Sequence, residues 1–326
     1  MEMKRGKWTV LLLVAAMMLL AACGGGSGSE GGKANAENVE QVGHEGEASG
    51  NEGGEGATRI YHSENGDVEL PVEPKRVAVM AHIYVGNVLK LGIKPVAVSE
   101  WVKGNKFFGG MLDDVEVVTA DSLEKLAVLE PDLIIAYSFD ENFQKYRDIA
   151  PTVGFTNDKY TYLEQHIEIG KVLNKEEEAR AWVEEWNKKA ETEGAKVREA
   201  VGDATVTVLE AYGKELYVYG NNWGRGTEVL YQAFGLKAPD KVVEDVFSHG
   251  YKAISAEVIP EYAGDYLFVG EGAGVDNSFM ETDLWKNLPA VQNGRVIFFD
   301  SESFWFNDAI TLENQMEFIV DAFTKK

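Results

Sequence analysis

The sequence predicts an α/β protein of two similar lobes joined by one long helix, a clamshell with a cleft between its halves. Three observations predict it. Helix-like and strand-like segments alternate on both sides of the middle of the chain, which argues for mainly parallel sheets. A charged stretch, Glu176–Val201, separates the two series, and its apolar residues Ala179, Trp182, Val183, Trp186, Ala190, Val197 and Val201 fall at helical spacing. A segment of the first series also recurs in the second. Ser122, Glu124 and Asp132, leading into Leu-Ile-Ile, return as Ser255, Glu257 and Asp265, leading into Tyr-Leu-Phe, at identical spacing.

The first residues carry an address. Lys4, Arg5 and Lys7 precede an uncharged apolar run over residues 9–20, the length of a signal-peptide core and shorter than the span of about 20 residues a membrane helix needs. The run ends in Leu20-Ala21-Ala22-Cys23-Gly24, small residues before a cysteine, the pattern of a bacterial lipoprotein cleavage site. Residues 1–22 are therefore expected to be removed, and Cys23 to be acylated, with palmitate or a similar chain, as the new N-terminus. Cys23 is the single cysteine, so no intrachain disulfide and no thiolate metal site is possible. The expected location is the extracytoplasmic face of the cell membrane, held by the lipid.

Residues 23–57 are Gly, Ser, Glu and Asn with few large apolar side chains and read as a flexible tether. A Gly-x-Gly-x-x-Gly match at Gly26, Gly28 and Gly31 has no strand before it and no helix after it, so it is not a nucleotide site. Arg59 to Pro71 reads as a hairpin turned at Asn65-Gly66. The first lobe, 58–160, offers strands at 77–80, 95–98 and 133–136 and helices at 86–91 and 122–129. A connecting helical segment occupies 161–203, with Gly194 as a weak point. The second lobe, 204–326, offers strands at 205–209, 216–219, 266–269 and 296–299 and a helix over 311–323.

The formal charge is −23, and removing residues 1–22 takes away three positive charges and one negative, leaving −25. Such an acidic chain is a poor partner for nucleic acid or anionic lipid. Enzyme signatures are missing: no Gly-x-Ser-x-Gly elbow, no phosphate-binding loop and no His-Glu-x-x-His. His44, His62, His82, His166 and His249 show no metal-ligand spacing.

Aromatic residues point to binding instead. Tyr217 and Tyr219 share one face of a strand whose other residues, Leu216 and Val218, face a core. The loop Gly220-Asn221-Asn222-Trp223-Gly224-Arg225-Gly226 follows, its glycines permitting a tight backbone that holds bulky side chains outward. Trp223 offers flat contact area and Arg225 a fork of donors for ligand oxygens. A buried tryptophan beside a surface ion pair fits the composition equally well. Phe304-Trp305-Phe306 follows the last strand, and three consecutive aromatics cannot all be buried by simple periodicity. Tyr84 and Trp101 follow strands of the first lobe, where plain packing competes with a ligand role. Glu124 and Glu257 sit at helix starts, where acids meet the helix dipole; that accounts for each alone but not for their equivalent placement.

The lipoprotein site, Pro74-Lys75-Arg76-Val77, the two Ser-x-Glu…Asp segments, Ile169-Gly170-Lys171-Val172-Leu173 and Trp285-Lys286-Asn287-Leu288-Pro289 together resemble the iron–siderophore substrate-binding proteins of ABC importers, over roughly residues 58–326. Tyr219 through Leu236 and Trp305-Phe-Asn-Asp308 look like the ferric hydroxamate-binding lipoproteins of Gram-positive bacteria. The resemblance implies a class III periplasmic-binding-protein clamshell, two Rossmann-like lobes with little hinge motion. It implies that Trp223 and Arg225 line the cleft with Tyr217 and Trp305 beside them. It further implies that Glu124 and Glu257 meet arginines of an ABC permease dimer, served by its ATPase. Asn157, with Tyr160 nearby, stands where relatives carry a cleft tyrosine.

The expected ligand is a ferric siderophore of the hydroxamate type, such as ferrichrome or ferrioxamine. Iron would stay bound through the siderophore, so neither a cofactor nor a protein metal ligand is expected, and the protein would act as a monomer and not as an enzyme. Ferric catecholates and citrate complexes are strongly anionic and call for several cations, whereas this cleft offers one arginine; Lys103 and Lys106 near Trp101 are the features that oppose the argument. Haem, cobalamin or an anionic siderophore in the same kind of receptor, an anchored cell-envelope enzyme, and an adhesive lipoprotein remain the alternatives.

Overall fold

Two five-stranded sheets organise the chain, and the computed structural model describes residues 56–325. The expected leader over 1–22, the acylation site Cys23 and all but the last two residues of the tether lie outside the described residues.

β1 (Thr58–Ser63) and β2 (Gly66–Pro71) form the antiparallel hairpin, closed by Ser63 opposite Gly66, whose φ of 103° only glycine adopts readily. The first lobe follows with β3 (Val77–Val79), β4 (Ala97–Ser99), β5 (Glu116–Val118), β6 (Leu133–Tyr137) and β7 (Thr152–Phe155). Their order is β5-β4-β3-β6-β7, all parallel. Helices α1 (Val85–Lys90), α2 (Leu123–Val128) and α3 (Phe143–Ile149) connect them. Val77, Ala78 and Val79 are all fully buried, as an unbroken apolar run in a two-faced sheet should be.

The second lobe holds β8 (Val206–Tyr212), β9 (Glu215–Tyr219), β10 (Tyr251–Ile254), β11 (Tyr266–Glu271) and β12 (Val296–Asp300), in the order β10-β9-β8-β11-β12. β8, β11 and β12 pair in parallel, and β9 is the one reversed strand, antiparallel both to β8 and to the edge strand β10, which therefore runs in the same direction as β8. Four of the five strands thus share one direction, as a mainly parallel sheet requires, and β9 alone departs from it. The Gly213-Lys214 link is too short for a crossover, so β8 and β9 must be a hairpin. The strand β10 escaped the sequence reading because it is a half-exposed edge without an apolar run.

The recurring aspartates do the same work in both lobes. Asp132, just ahead of β6, accepts the backbone N–H groups of Lys75 and Arg76 at 2.7 and 2.9 Å, at the start of the central strand β3. Asp265, just ahead of β11, accepts the N–H and hydroxyl of Thr205 at 2.8 and 3.0 Å, at the start of the central strand β8.

α4 (Tyr162–Val172) opens with a capping box between Thr161 and Glu164, and α5 (Glu176–Val201) runs unbroken for 26 residues. The Arg59 guanidinium closes the end of α4, donating to the carbonyls of Lys171 and Val172. α5 changes partners along its length: Ala179 joins the first lobe's core, and Trp182, Trp186, Ala190, Val197 and Val201 join the second's. Gly194 is not a weak point. It is a close-approach position, since a Cβ there would meet the Cα of Phe234 at 3.2 Å.

The second lobe's remaining helices are short, α6 (Asp240–Asp245), α7 (Ile259–Tyr262), α8 (Asp283–Lys286), α9 (Pro289–Gln292) and α10 (Ser301–Phe304), until α11 (Ala309–Thr324). α11 bridges the halves: Ile310 packs in the first lobe's core, and Leu312, Met316 and Ile319 in the second's. Asn87 of α1 accepts the Ala309 N–H at 3.0 Å. No helix among the described residues is long and apolar enough to cross a membrane.

Candidate functional site

A cleft of about 880 Å³ opens between the lobes at the carboxyl ends of the parallel strands. Open α/β sheets present ligand sites there. Of the six residues predicted to bind ligand, the structure brings Tyr84, Tyr217, Trp223, Arg225 and Trp305 to this cleft.

The second lobe's wall is built on a residue the sequence reading missed. Glu210 lies on β8, 1% exposed, on the same face as Val206 and Val208. Its Oε2 accepts from Arg225 Nε at 2.8 Å and from the Tyr219 hydroxyl at 3.1 Å, and its Oε1 accepts from Trp305 Nε1 at 3.1 Å. Three side chains from β9, the glycine loop and the segment after α10 thus converge on one carboxylate. Gly270 of β11 makes room for it, because a Cβ there would stand 2.9 Å from Glu210 Cγ. The signal was a single acid inside an otherwise apolar strand, a position carboxylates occupy only when paired.

The loop geometry follows from its glycines. Gly224, Arg225 and Gly226 have φ of 66°, 58° and 78°, and the Arg225 N–H donates to the Phe304 carbonyl. A Cβ on Gly224 would meet the Trp305 carbonyl oxygen at 2.4 Å, so the loop lies flush on the Trp305 backbone. This turns the Arg225 guanidinium over the Tyr219 ring at 4.5 Å and the Trp305 ring at 5.4 Å, within cation–π range. Nη1 donates to the Trp223 carbonyl at 3.2 Å. Trp223 is half-buried against Tyr251, ring centroids 4.9 Å apart, over Gly250, where a Cβ would reach 2.6 Å from Cε3. Phe304 and Phe306 are buried, leaving Trp305 as the one of the three aromatics that lines the cleft.

Tyr217 and Tyr219 do share a face, but unequally: Tyr219 is buried over Glu210, while Tyr217 is half-buried and donates to Glu215 at the rim. A π-helical turn, Glu228–Ala233, follows the loop. Glu228 is buried at its start, accepting from the Gly224 N–H and Asn307 Nδ2, each at 3.0 Å. Burial raises its pKa above the ordinary carboxylate range.

The opposite wall is aromatic. Tyr84 is buried, edge-on to Phe155 at 5.5 Å, and burial raises its hydroxyl pKa. His82 stands beside it, 5.7 Å from both Tyr137 and Phe306. Burial lowers its pKa to about 4, so at neutral pH it is an uncharged imidazole. Phe139 stacks on Tyr137 at 5.1 Å and is 65% exposed at the mouth. Asn157 and Tyr160 both line the cleft. Trp101, the sixth, is 57% exposed on the short 3₁₀ helix Glu100–Gly104 and lies outside the lining, with its ring 6.2 Å from that of His82.

Lys103 and Lys106 are also outside the lining; both are exposed, and Lys106 pairs with Asp300. Glu124 lies exposed in the first turn of α2, and Glu257 lies exposed in a 3₁₀ turn ahead of α7; neither lines the cleft. Hydrogen bonding to Ser255 lowers the Glu257 pKa.

Comparison with known proteins agrees with this architecture. The family model for periplasmic binding proteins matches residues 77–303, which takes in both sheets and nearly the whole cleft. The chain belongs to the periplasmic binding protein family. Within this family it is 40% identical over 286 residues to the iron(3+)-hydroxamate-binding protein FhuD of Bacillus subtilis, covering 86% of this chain and 90% of that one. The iron(3+)-hydroxamate-binding protein YxeB of the same organism is 36% identical, covering 82% and 86%. Among solved structures, FhuD2 of Staphylococcus aureus with bound ferrioxamine B superposes with a TM-score of 0.75 at 37% identity, over 77% of this chain and 99% of that one. The clamshell of two α/β lobes around a long helix is thus the family's fold.

Proposed function

We propose that this periplasmic binding protein captures a ferric hydroxamate siderophore outside the cell membrane and delivers it to an ABC permease dimer driven by its ATPase. The observation that carries the reading is the second lobe's wall: one guanidinium within cation–π range of the Tyr219 and Trp305 rings and hydrogen-bonded to Glu210, with Trp223 and Tyr217 beside it. Such a wall offers broad ring surface to methylenes and a few fixed donors to hydroxamate oxygens. The likeness to two iron-hydroxamate-binding proteins of Bacillus subtilis supports the same ligand class. Tyr84 faces the ligand from the other lobe, and Trp101 stays at the rim. Iron remains bound through the siderophore, as cargo, and the protein supplies no ligand to it. The chain binds and releases without turnover, as a monomer.

The same reading takes Cys23 as the lipid anchor and Glu124 and Glu257 as the contacts with the permease, one on each lobe. The test is a tryptophan fluorescence titration of the purified chain with ferrioxamine B, ferrichrome and a ferric tricatecholate, since Trp223 and Trp305 both line the cleft. Saturable quenching by the two hydroxamates is expected. A response to the catecholate alone, or to none of the three, sinks the ligand assignment.

A further inference from the structure

Every cation on the cleft wall already has a partner. Arg225 is salt-bridged to Glu210 at 2.8 Å, and Lys159 lies 3.6 Å from Glu64. His82, the remaining basic group of the lining, is kept neutral by burial. The acids Asp158, Glu164 and Glu228 line the same cleft with no cation paired to them among the described residues. The two partners of the cations differ in kind. Glu64, in the β1–β2 turn, is partly buried and meets Lys159 only at 3.6 Å, whereas Glu210 is fully enclosed and serves Arg225, Tyr219 and Trp305 at once.

We infer that Glu210 is a specificity-determining and positioning residue: it cancels the Arg225 charge beneath the cleft wall, so that the site accepts neutral and cationic ferric complexes and rejects polyanionic ones. This rests on the ligand class proposed above and adds what selects within it. A ferric trihydroxamate core is neutral, since three hydroxamate anions balance Fe³⁺, and a linear one with a free amine is cationic. A ferric tricatecholate carries three negative charges. Against the latter, an arginine without a counter-charge would be a strong attraction in a half-buried site, because charge interactions strengthen as water is excluded. With Glu210 in place the guanidinium acts through its N–H groups and its flat face, while its net field is cancelled. The arrangement also fixes direction. Nε is committed to Glu210 and Nη1 to the Trp223 carbonyl, which leaves the Nη2 edge without a protein acceptor among the described residues.

The experiment compares the wild-type chain with Glu210→Gln and Arg225→Gln, measuring Kd for ferrioxamine B, ferrichrome and a ferric tricatecholate by fluorescence quenching at two salt concentrations. Glu210→Gln exposes the guanidinium charge, and the ratio of tricatecholate to ferrioxamine B affinity should rise by about 10-fold or more, with the gain shrinking at high salt. Arg225→Gln leaves the carboxylate alone, and the same ratio should move the opposite way. A merely structural role for the pair would weaken all three ligands together in both variants, and an unmoved ratio in both overturns the inference. If one variant fails to fold, the direction of the other decides. A wild-type chain that binds neither hydroxamate overturns the proposed function along with the inference, whereas one that binds both while the variants keep its ratio overturns the inference alone.

Discussion

A Cβ on Gly86 would stand 1.7 Å from Asp308 Oδ1, so the bare backbone of α1 in one lobe sits directly on the carboxylate that caps α11. Asp308 accepts the N–H and the hydroxyl of Thr311, each at 2.9 Å, and the Thr311 hydroxyl in turn accepts from Asn105 of the first lobe at 2.8 Å. The seam between the lobes is therefore a buried cap flanked by cores.

Gly86→Ala should destabilise the protein by at least about 1–3 kcal/mol, the cost of forcing a methyl group into filled space. Urea unfolding measures it. Shortening the cap in the same chain, Gly86→Ala with Asp308→Ser, should recover part of the loss, since the two residues touch and their effects should couple. Full additivity of the two changes would contradict the contact.

The pH dependence of stability should carry the mark of Asp308. Burial raises its pKa to about 7, against about 3.8 when unfolded. Between those values the folded chain binds the proton and the unfolded chain does not, so this group's contribution is complete below about 3.8 and is lost as pH rises through about 7. Asp308→Asn keeps the cap without the titration. The stability of wild type relative to Asp308→Asn should fall on going from pH 4 to pH 8, by on the order of 3 kcal/mol. A difference independent of pH would show that the carboxylate is ionised throughout.

Trp223→Ala and Trp305→Ala should each weaken hydroxamate binding by about 30-fold, the loss typical of an aromatic anchor at the centre of a site. Trp223 is the cleaner probe, because Trp305 also donates to Glu210. Arg225→Ala is a poor one: it strands the buried Glu210 and occupies a residue whose φ is 58°. Kd values within twofold of wild type for both tryptophan variants would remove this wall from the site.

Reversing the two exposed acids, Glu124→Arg with Glu257→Arg, should leave the siderophore affinity unchanged and abolish uptake into cells. Neither residue lines the cleft, and each is exposed at a helix start. Iron uptake at the wild-type rate would end the docking assignment.

Much of this protein can be read from local pattern. Strand and helix alternation, the striped α5 and the paired Ser-x-Glu…Asp segments depend on neighbours within a few turns, and the structure gives each its place. The repeated aspartates even mark the equivalent central strands β3 and β8. The glycine loop around Trp223 and Arg225 and the aromatics at Phe304 to Phe306 were visible for the same reason, since turn chemistry and periodicity are local.

Other features were set by long-range assembly. Glu210 and Trp305 are 95 residues apart, and no spacing rule connects them; the sheet order and the flush contact of Gly224 on the Trp305 backbone do. Trp101, a weaker candidate than Trp223 in the sequence, lies on a short 3₁₀ helix outside the cleft lining, while His82, one of five histidines without ligand spacing, lines the cleft as a neutral ring. Periodicity tells which face of an element is apolar. It cannot tell which distant side chain meets that face, and burial, charge pairing and the protonation of His82 and Asp308 all depend on that meeting.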